Sequence, residues 1–169
     1  MRSEILVQQA VPAEFERVGI LIFELLDELY PELGYKRDVC IETAMNLLAN
    51  GKSVWSFLAT TSAQRDVGIV MLNECAAIYA GGRFGEISEL YVVPDYRSKG
   101  VGARLIETAA AFGRERLGST GQRNKFIKHV CWTSKVKCLA GALVQSKSDP
   151  IQVRLRESRE IRAFGKVLA

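Results

Sequence analysis

The chain has 169 residues, of which 48% are hydrophobic and 25% charged, with a formal net charge of +4. Its length predicts one domain over residues 1–169 around one core, and its composition excludes a disordered or fibrous chain. The apolar run Val18 to Leu26 is broken by Glu24 and followed by Asp27 and Glu28, well short of the roughly 20 clean residues that a bilayer span needs.

In chain order, Ile5-Leu6-Val7 opens as a short strand. A helix starts near Pro12, where the missing N–H costs nothing, and Val18, Leu21, Ile22, Leu25, Leu26 and Leu29 follow the i, i+3, i+4, i+7 rule. Glu24, Asp27 and Glu28 make its other face acidic. Tyr30 to Gly34 breaks this helix, and Asp38 to Asn50 reads as a second, capped by Asp38 and stopped at Asn50-Gly51. Val54 to Thr60 and Val67 to Asn73 read as an antiparallel pair across the polar turn Thr61 to Asp66.

Gly81 to Gly85 is a turn, and Glu86 to Val93 is a β-branched and aromatic strand that ends at Pro94, which cannot donate to a ladder. Gly100 to Leu117 is the clearest helix, with Val101, Leu105, Thr108, Ala109 and Phe112 on one face and Gly118 as its C-terminal cap. Beyond it, Ser119 to Lys125 reads as a loop, Phe126 to Trp132 as a strand and Val136 to Val144 as a helix. Ile151 to Leu155 and Ile161 to Val167 read as a hairpin in preference to a basic helix.

The chemistry concentrates between Glu89 and Ile106. There a strand ends, a tight basic turn with two glycines follows, and a helix begins at once, so unpaired backbone amides converge at the positive end of a helix dipole. That is an anion site. Gly100 and Gly102 lack a Cβ and admit a phosphate closely, while Arg97 and Lys99 add charge around it. Pyrophosphate fits such a cradle. Neither a Walker A loop nor a dinucleotide fingerprint matches, because the third position after Gly102 is Leu105.

Arg97-Ser98-Lys99-Gly100-Val101-Gly102 resembles the Arg/Gln-x-x-Gly-x-Gly/Ala signature of the GNAT superfamily of acyltransferases, and Glu89 to Tyr96 is similar to that family's fourth strand. The resemblance covers roughly residues 3–118. It implies an α+β GNAT fold: a mixed central sheet with a splayed, bulged fourth strand, flanked by about four helices. It also implies an acetyl-CoA site, with pantetheine beside Tyr91, Val92 and Val93 and pyrophosphate on the loop Arg97, Ser98, Lys99, Gly100, Val101, Gly102 and Ala103. The reaction implied is transfer of an acetyl group to a primary amine. Glu89 is the first candidate for the base and Glu86 the second, because the family often places a carboxylate on or beside this strand.

The chain departs from the family where a tyrosine often serves as general acid, since no tyrosine follows Tyr96. Cys131, Ser134 and Cys138 stand near that place, and the role is left unassigned. No metal is expected: Cys40, Cys75, Cys131 and Cys138 form no Cys-x-x-Cys pair, and His129 is the sole histidine. Lysine and arginine number 12 against 16 acidic residues through residue 118, then 11 against 3. A divergent acceptor region, a surface for a polyanion and a shifted reading frame all remain open as explanations.

The expected partner is an amine acceptor, with a cationic one favoured by Glu24, Asp27, Glu28 and Glu32. A membrane and nucleic acid are not expected, a homodimer is left open, and the start of the chain lacks a secretory pattern, which predicts a cytoplasmic protein. The rival readings are a CoA-binding module without catalysis and a polyanion-binding protein that uses residues 119–169.

Overall fold

The computed structural model describes residues 4–78 and 82–116, together with the backbone of 128–130 and 153–155. Strand β1 (Ile5–Gln9) leads through a 3-10 turn at Pro12–Glu14 into helix α1 (Phe15–Leu29), and α2 (Arg37–Ala49) follows. Then come β2 (Val54–Thr61), β3 (Asp66–Ala77), β4 (Gly82–Val92) and helix α3 (Val101–Arg116), with short strands β5 (Lys128–Val130) and β6 (Val153–Leu155) after them. The first four strands form one antiparallel sheet in the order β1-β2-β3-β4, while β5 and β6 pair in parallel, with Lys128 opposite Val153.

Differences from the sequence reading lie mostly at the ends of elements. The turn at Pro12 is 3-10, so α1 proper begins at Phe15. Asp38 is not the cap of α2. The helix starts one residue earlier with Lys36 at its N-cap, and Asp38 sits in the first turn, where its charge still suits the dipole. Strand β3 runs on to Ala77 and β4 starts at Gly82, because Glu74 to Ala77 pair with Gly85 to Gly82.

Val153 to Leu155 is a strand as expected, but its described partner is β5. The other half of the expected hairpin, the helix at Val136 to Val144, the loop at Ser119 to Lys125 and the Gly118 cap lie outside the described residues. Three of the expected helices fall within them. Among the described residues no helix is long and apolar enough to cross a membrane.

Each face of the sheet is covered. On β2, Trp55 and Phe57 hold their rings 5.3 Å from that of Phe112 on α3. Directly opposed residues share a face, so Leu72, Val70 and Gly68 of β3 also look towards α3. A Cβ on Gly68 would stand 2.9 Å from the Tyr91 carbonyl oxygen and 3.1 Å from Leu105 Cδ1, so glycine here lets α3 and β4 close on β3. Val101, Leu105 and Ala109, all buried, fill this side. The interleaved residues Leu58, Ile69 and Met71 face the α1–α2 side, together with buried Val18, Leu21 and Leu25 of α1. Arg17 on α1 bonds Asp66, Glu14 at 2.7 Å and Thr60, which ties the start of the helix to the start of β3.

Candidate active site

Strand β4 is irregular where it matters. Its register with β3 is Leu90 opposite Val70 but Ile87 opposite Leu72, so Ser88 and Glu89 together face the single residue Met71. That is a β-bulge, which bends the strand and leaves a residue out of the ladder. Beyond it, β5 lies against β4 yet belongs to a different sheet, so the two strands touch without joining in a ladder. Among the described residues, the fourth strand is therefore bulged, and it lies against β5 without sharing a sheet with it.

After Val92 the chain makes a 3-10 turn at Pro94–Tyr96, passes through Ser98 at φ 59° and Gly100 at φ 81°, and enters α3. The first i→i−4 bond of that helix runs from the Arg104 amide to the Gly100 carbonyl at 3.2 Å. The amides of Val101, Gly102 and Ala103 precede it and lack an acceptor one turn back. Among the described residues, nothing lies within 4 Å of the point where a Cβ on Gly100 would sit. Ser98, Lys99 and Gly100 are exposed, whereas Val101 and Gly102 are buried against the sheet. Open donors, a helix N-terminus and space above a glycine together make a cradle that fits an oxyanion.

Arg97 does not point its side chain into that cradle. Its Nη1 and Nη2 donate to the two Glu28 carboxylate oxygens at 2.9 and 2.5 Å, and its Nε donates to the Val92 carbonyl at 2.8 Å. Its guanidinium also lies 5.6 Å from the centre of the Tyr91 ring. The Glu28 carboxylate raises the arginine's pKa further, against the opposing effect of burial. Tyr91 is buried, and burial with nearby Glu24 and Glu28 pushes its phenol up to about 12, so it stays protonated at neutral pH. Lys99 and Arg65 both approach the Tyr96 ring, at 5.1 and 5.7 Å, which gathers positive charge at the rim of the loop.

Glu89 is a carboxylate of perturbed acidity. Burial raises its pKa above the ordinary value, and a hydrogen bond donated by Ser88 works against that rise. Ser88 in turn accepts from Asn73 Nδ2 at 2.6 Å, so a short relay runs from β3 to the carboxylate. Glu86, opposite Asn73, accepts from Cys75 Sγ at 3.3 Å. Burial and the acidic neighbours Glu86 and Glu74 push the Cys75 thiol up to about 11, which makes it a poor nucleophile at neutral pH.

Among the residues singled out in the sequence, Tyr91, Val92 and Val93 are buried at the end of β4, and Ser98 to Ala103 surround the cradle. Glu89 lies in the bulge and Glu86 three residues before it. Cys131, Ser134 and Cys138 lie outside the described residues. Sequence reasoning missed Ser88 and Asn73 as partners of Glu89, and Glu28 as the partner of Arg97, because each pairing depends on register or on packing across the chain. Among the described residues no group of three or more His, Cys, Asp or Glu side chains could hold a metal.

Residues 21–123 match the model of the acetyltransferase (GNAT) family. An uncharacterized N-acetyltransferase of Archaeoglobus fulgidus is 42% identical over 40 residues, which is 24% of this chain and 27% of that protein. The fold resembles the ribosomal-protein-alanine N-acetyltransferase of Brucella melitensis at TM-score 0.63 and 18% identity, covering 91% of this chain and 99% of that one. It equally resembles an aminoglycoside N-acetyltransferase solved in complex with CoA, at TM-score 0.63 and 16% identity over 93% and 95% of the two chains. At such identities the likeness to these structures is one of fold.

Proposed function

The chain belongs to the acetyltransferase (GNAT) family, and on that premise we propose that it transfers an acetyl group from acetyl-CoA to a primary amine. The observation that carries this reading is the junction of β4 and α3. Open amides at Val101 to Ala103 lie beside a glycine at φ 81° with free space above it, at the end of a strand that lies against β5 without sharing a sheet with it. A diphosphate suits the amides, and a pantetheine arm would lie beside Tyr91, Val92 and Val93. Lys99 adds charge at the rim, and Arg97 belongs to this site through the loop that it holds.

Acetyl-CoA supplies an activated thioester, and the chain's own residues handle position and protons. As the amine nitrogen bonds to the carbonyl carbon, the carbon–sulfur bond breaks, the nitrogen loses a proton and the departing thiolate gains one. Glu89 is the proposed base: its burial raises its pKa towards the range where a carboxylate can take a proton from an ammonium or a bound water. Ser88 and Asn73 orient it. Glu86 is the second candidate. The proton for the thiolate has no donor assigned among the described residues.

A cationic acceptor is favoured because Glu24 and Glu28 of α1 lie near Tyr91, and the register with Ile69 and Asn73 puts Glu86 on the Tyr91 face of β4, so negative charge gathers there. The aminoglycoside acetyltransferases among the similar folds are in keeping with such a substrate.

The test is calorimetric titration with acetyl-CoA alongside thiol release across a panel of primary amines, using wild type and Gly100→Val. Binding and amine-dependent thiol release by wild type alone support the proposal. Binding without release from any amine favours a CoA-binding module, and no binding at all ends the reading.

A further inference from the structure

The signature arginine of the loop is directed away from the anion cradle. Three donors of its guanidinium are committed: two to Glu28 in the last turn of α1, at 2.9 and 2.5 Å, and one to the Val92 carbonyl at 2.8 Å. The fork-to-fork geometry with Glu28 fixes the plane of the group, and the Tyr91 ring limits it from one side. The pair is only partly exposed, with side-chain exposure of 29% for Arg97 and 25% for Glu28, so it is less screened than a surface salt bridge.

What this clamp holds is the turn that presents the amides. Ser98 follows at once with φ 59°, a left-handed conformation that a non-glycine residue adopts only where its surroundings enforce it. Gly100 is left-handed too. Arg97 is anchored on the peptide just before this turn and on a helix 69 residues distant in sequence, so the start of the turn cannot swing away from β4 without breaking three charge-assisted bonds. We infer that Arg97 is a positioning residue for the cofactor loop and acts through Glu28, and that Glu28 is therefore required for CoA binding despite its negative charge. The inference rests on the acetyl-CoA reading above.

A direct contact between Arg97 and phosphate predicts the opposite behaviour of Glu28. Removing that carboxylate would free the guanidinium and take away a negative charge near a polyanion, so binding would tighten or stay the same. A positioning role makes binding weaker, because the clamp has lost its anchor.

The experiment is a double-mutant cycle on CoA affinity by calorimetry with the full chain: wild type, Arg97→Ala, Glu28→Ala and both together. Arg97→Lys is added, because a lysine can serve a phosphate as a point charge but cannot hold Glu28 and Val92 together. Thermal melts accompany each variant, and Glu28→Gln replaces Glu28→Ala if the latter does not fold. Expected is a weakening of about tenfold or more for each single alanine variant, a double variant no weaker than Arg97→Ala alone, and no rescue by lysine.

The KM for acetyl-CoA should rise by a larger factor than kcat falls. Unchanged or tighter binding in Glu28→Ala or Glu28→Gln, multiplicative losses in the double variant, or rescue by lysine would overturn the inference and leave the acetyl-CoA reading standing. Absence of CoA binding by wild type would overturn both.

Discussion

Ser88 and Glu89 are adjacent in one strand, yet the hydroxyl of the first donates to the carboxylate of the second. In a regular strand neighbouring side chains point to opposite faces. The bulge opposite Met71 brings these two together, on the side where Asn73 supports the serine. An otherwise ordinary strand carboxylate is thereby half-buried, with one defined hydrogen-bond partner.

The pH profile follows from that environment. Activity should rise with pH through the raised pKa of Glu89, because the base works only when deprotonated. Ser88 stabilises the charged form, so Ser88→Ala should move this limb to higher pH. Glu89→Gln should abolish the limb and lower kcat by about 100-fold or more. A log kcat/KM profile from pH 5 to 9 checks all three, and a limb retained in Glu89→Gln would reassign the base, with Glu86 next to be tested.

Stability should carry the same signature with the opposite sense. The folded-state pKa of Glu89 lies above its unfolded value, so the folded chain binds the extra proton and stability falls as pH rises from the ordinary carboxylate range through the raised pKa. Urea unfolding of wild type and Glu89→Gln at several pH values should give midpoints that converge at low pH, with the variant gaining relative to wild type as pH rises.

Gly100→Val places a β-branched residue at φ 81°, where the strain is on the order of 1–3 kcal/mol if the backbone holds. Among the described residues nothing lies within 4 Å of the new Cβ, so folding should survive with a lowered melting temperature. A turn that relaxes to a negative φ would dismantle the cradle. Loss of the acetyl-CoA heat in calorimetry, with the circular dichroism spectrum kept, is the expected result.

Gly68→Ala tests how closely β3 admits its neighbours. The added Cβ would stand 2.9 Å from a backbone oxygen on β4 and 3.1 Å from Leu105. It should cost about 1–3 kcal/mol in urea unfolding, and it should weaken acetyl-CoA binding because Tyr91 is displaced.

Leu105→Ala separates core from site. Leu105 is fully buried beneath α3, and its truncation should cost about 2–5 kcal/mol. Acetyl-CoA affinity measured well below the unfolding midpoint should change little, since the first turn of α3 keeps its backbone contacts. A drop in affinity as large as that in Gly100→Val would mean that the first turn moves with the core.

Much of this was legible residue by residue. The apolar stripe of α1, the β-branched run ending at Pro94 and the Gly100 turn into α3 all depend on neighbours a few positions apart, which periodicity and turn chemistry report directly. Arg97 was legible as a member of the loop but not as the partner of Glu28. A basic residue in a glycine turn reads as a phosphate ligand unless a competing carboxylate is known to be near, and α1 brings one from 69 residues away.

The sequence by itself determined that a strand, a tight glycine turn and a helix would follow one another, because those preferences are local in the backbone. It likewise determined the buried stripes of α1 and α3, but not that of α2, whose Val39, Met45 and Leu47 are exposed. The tertiary structure alone decided where the β4 register slips, and so which face Glu89 takes, and what Arg97 holds. Both depend on long-range pairing of strands and helices, whose outcome is fixed by the packing of the whole core and leaves no periodic trace along the chain.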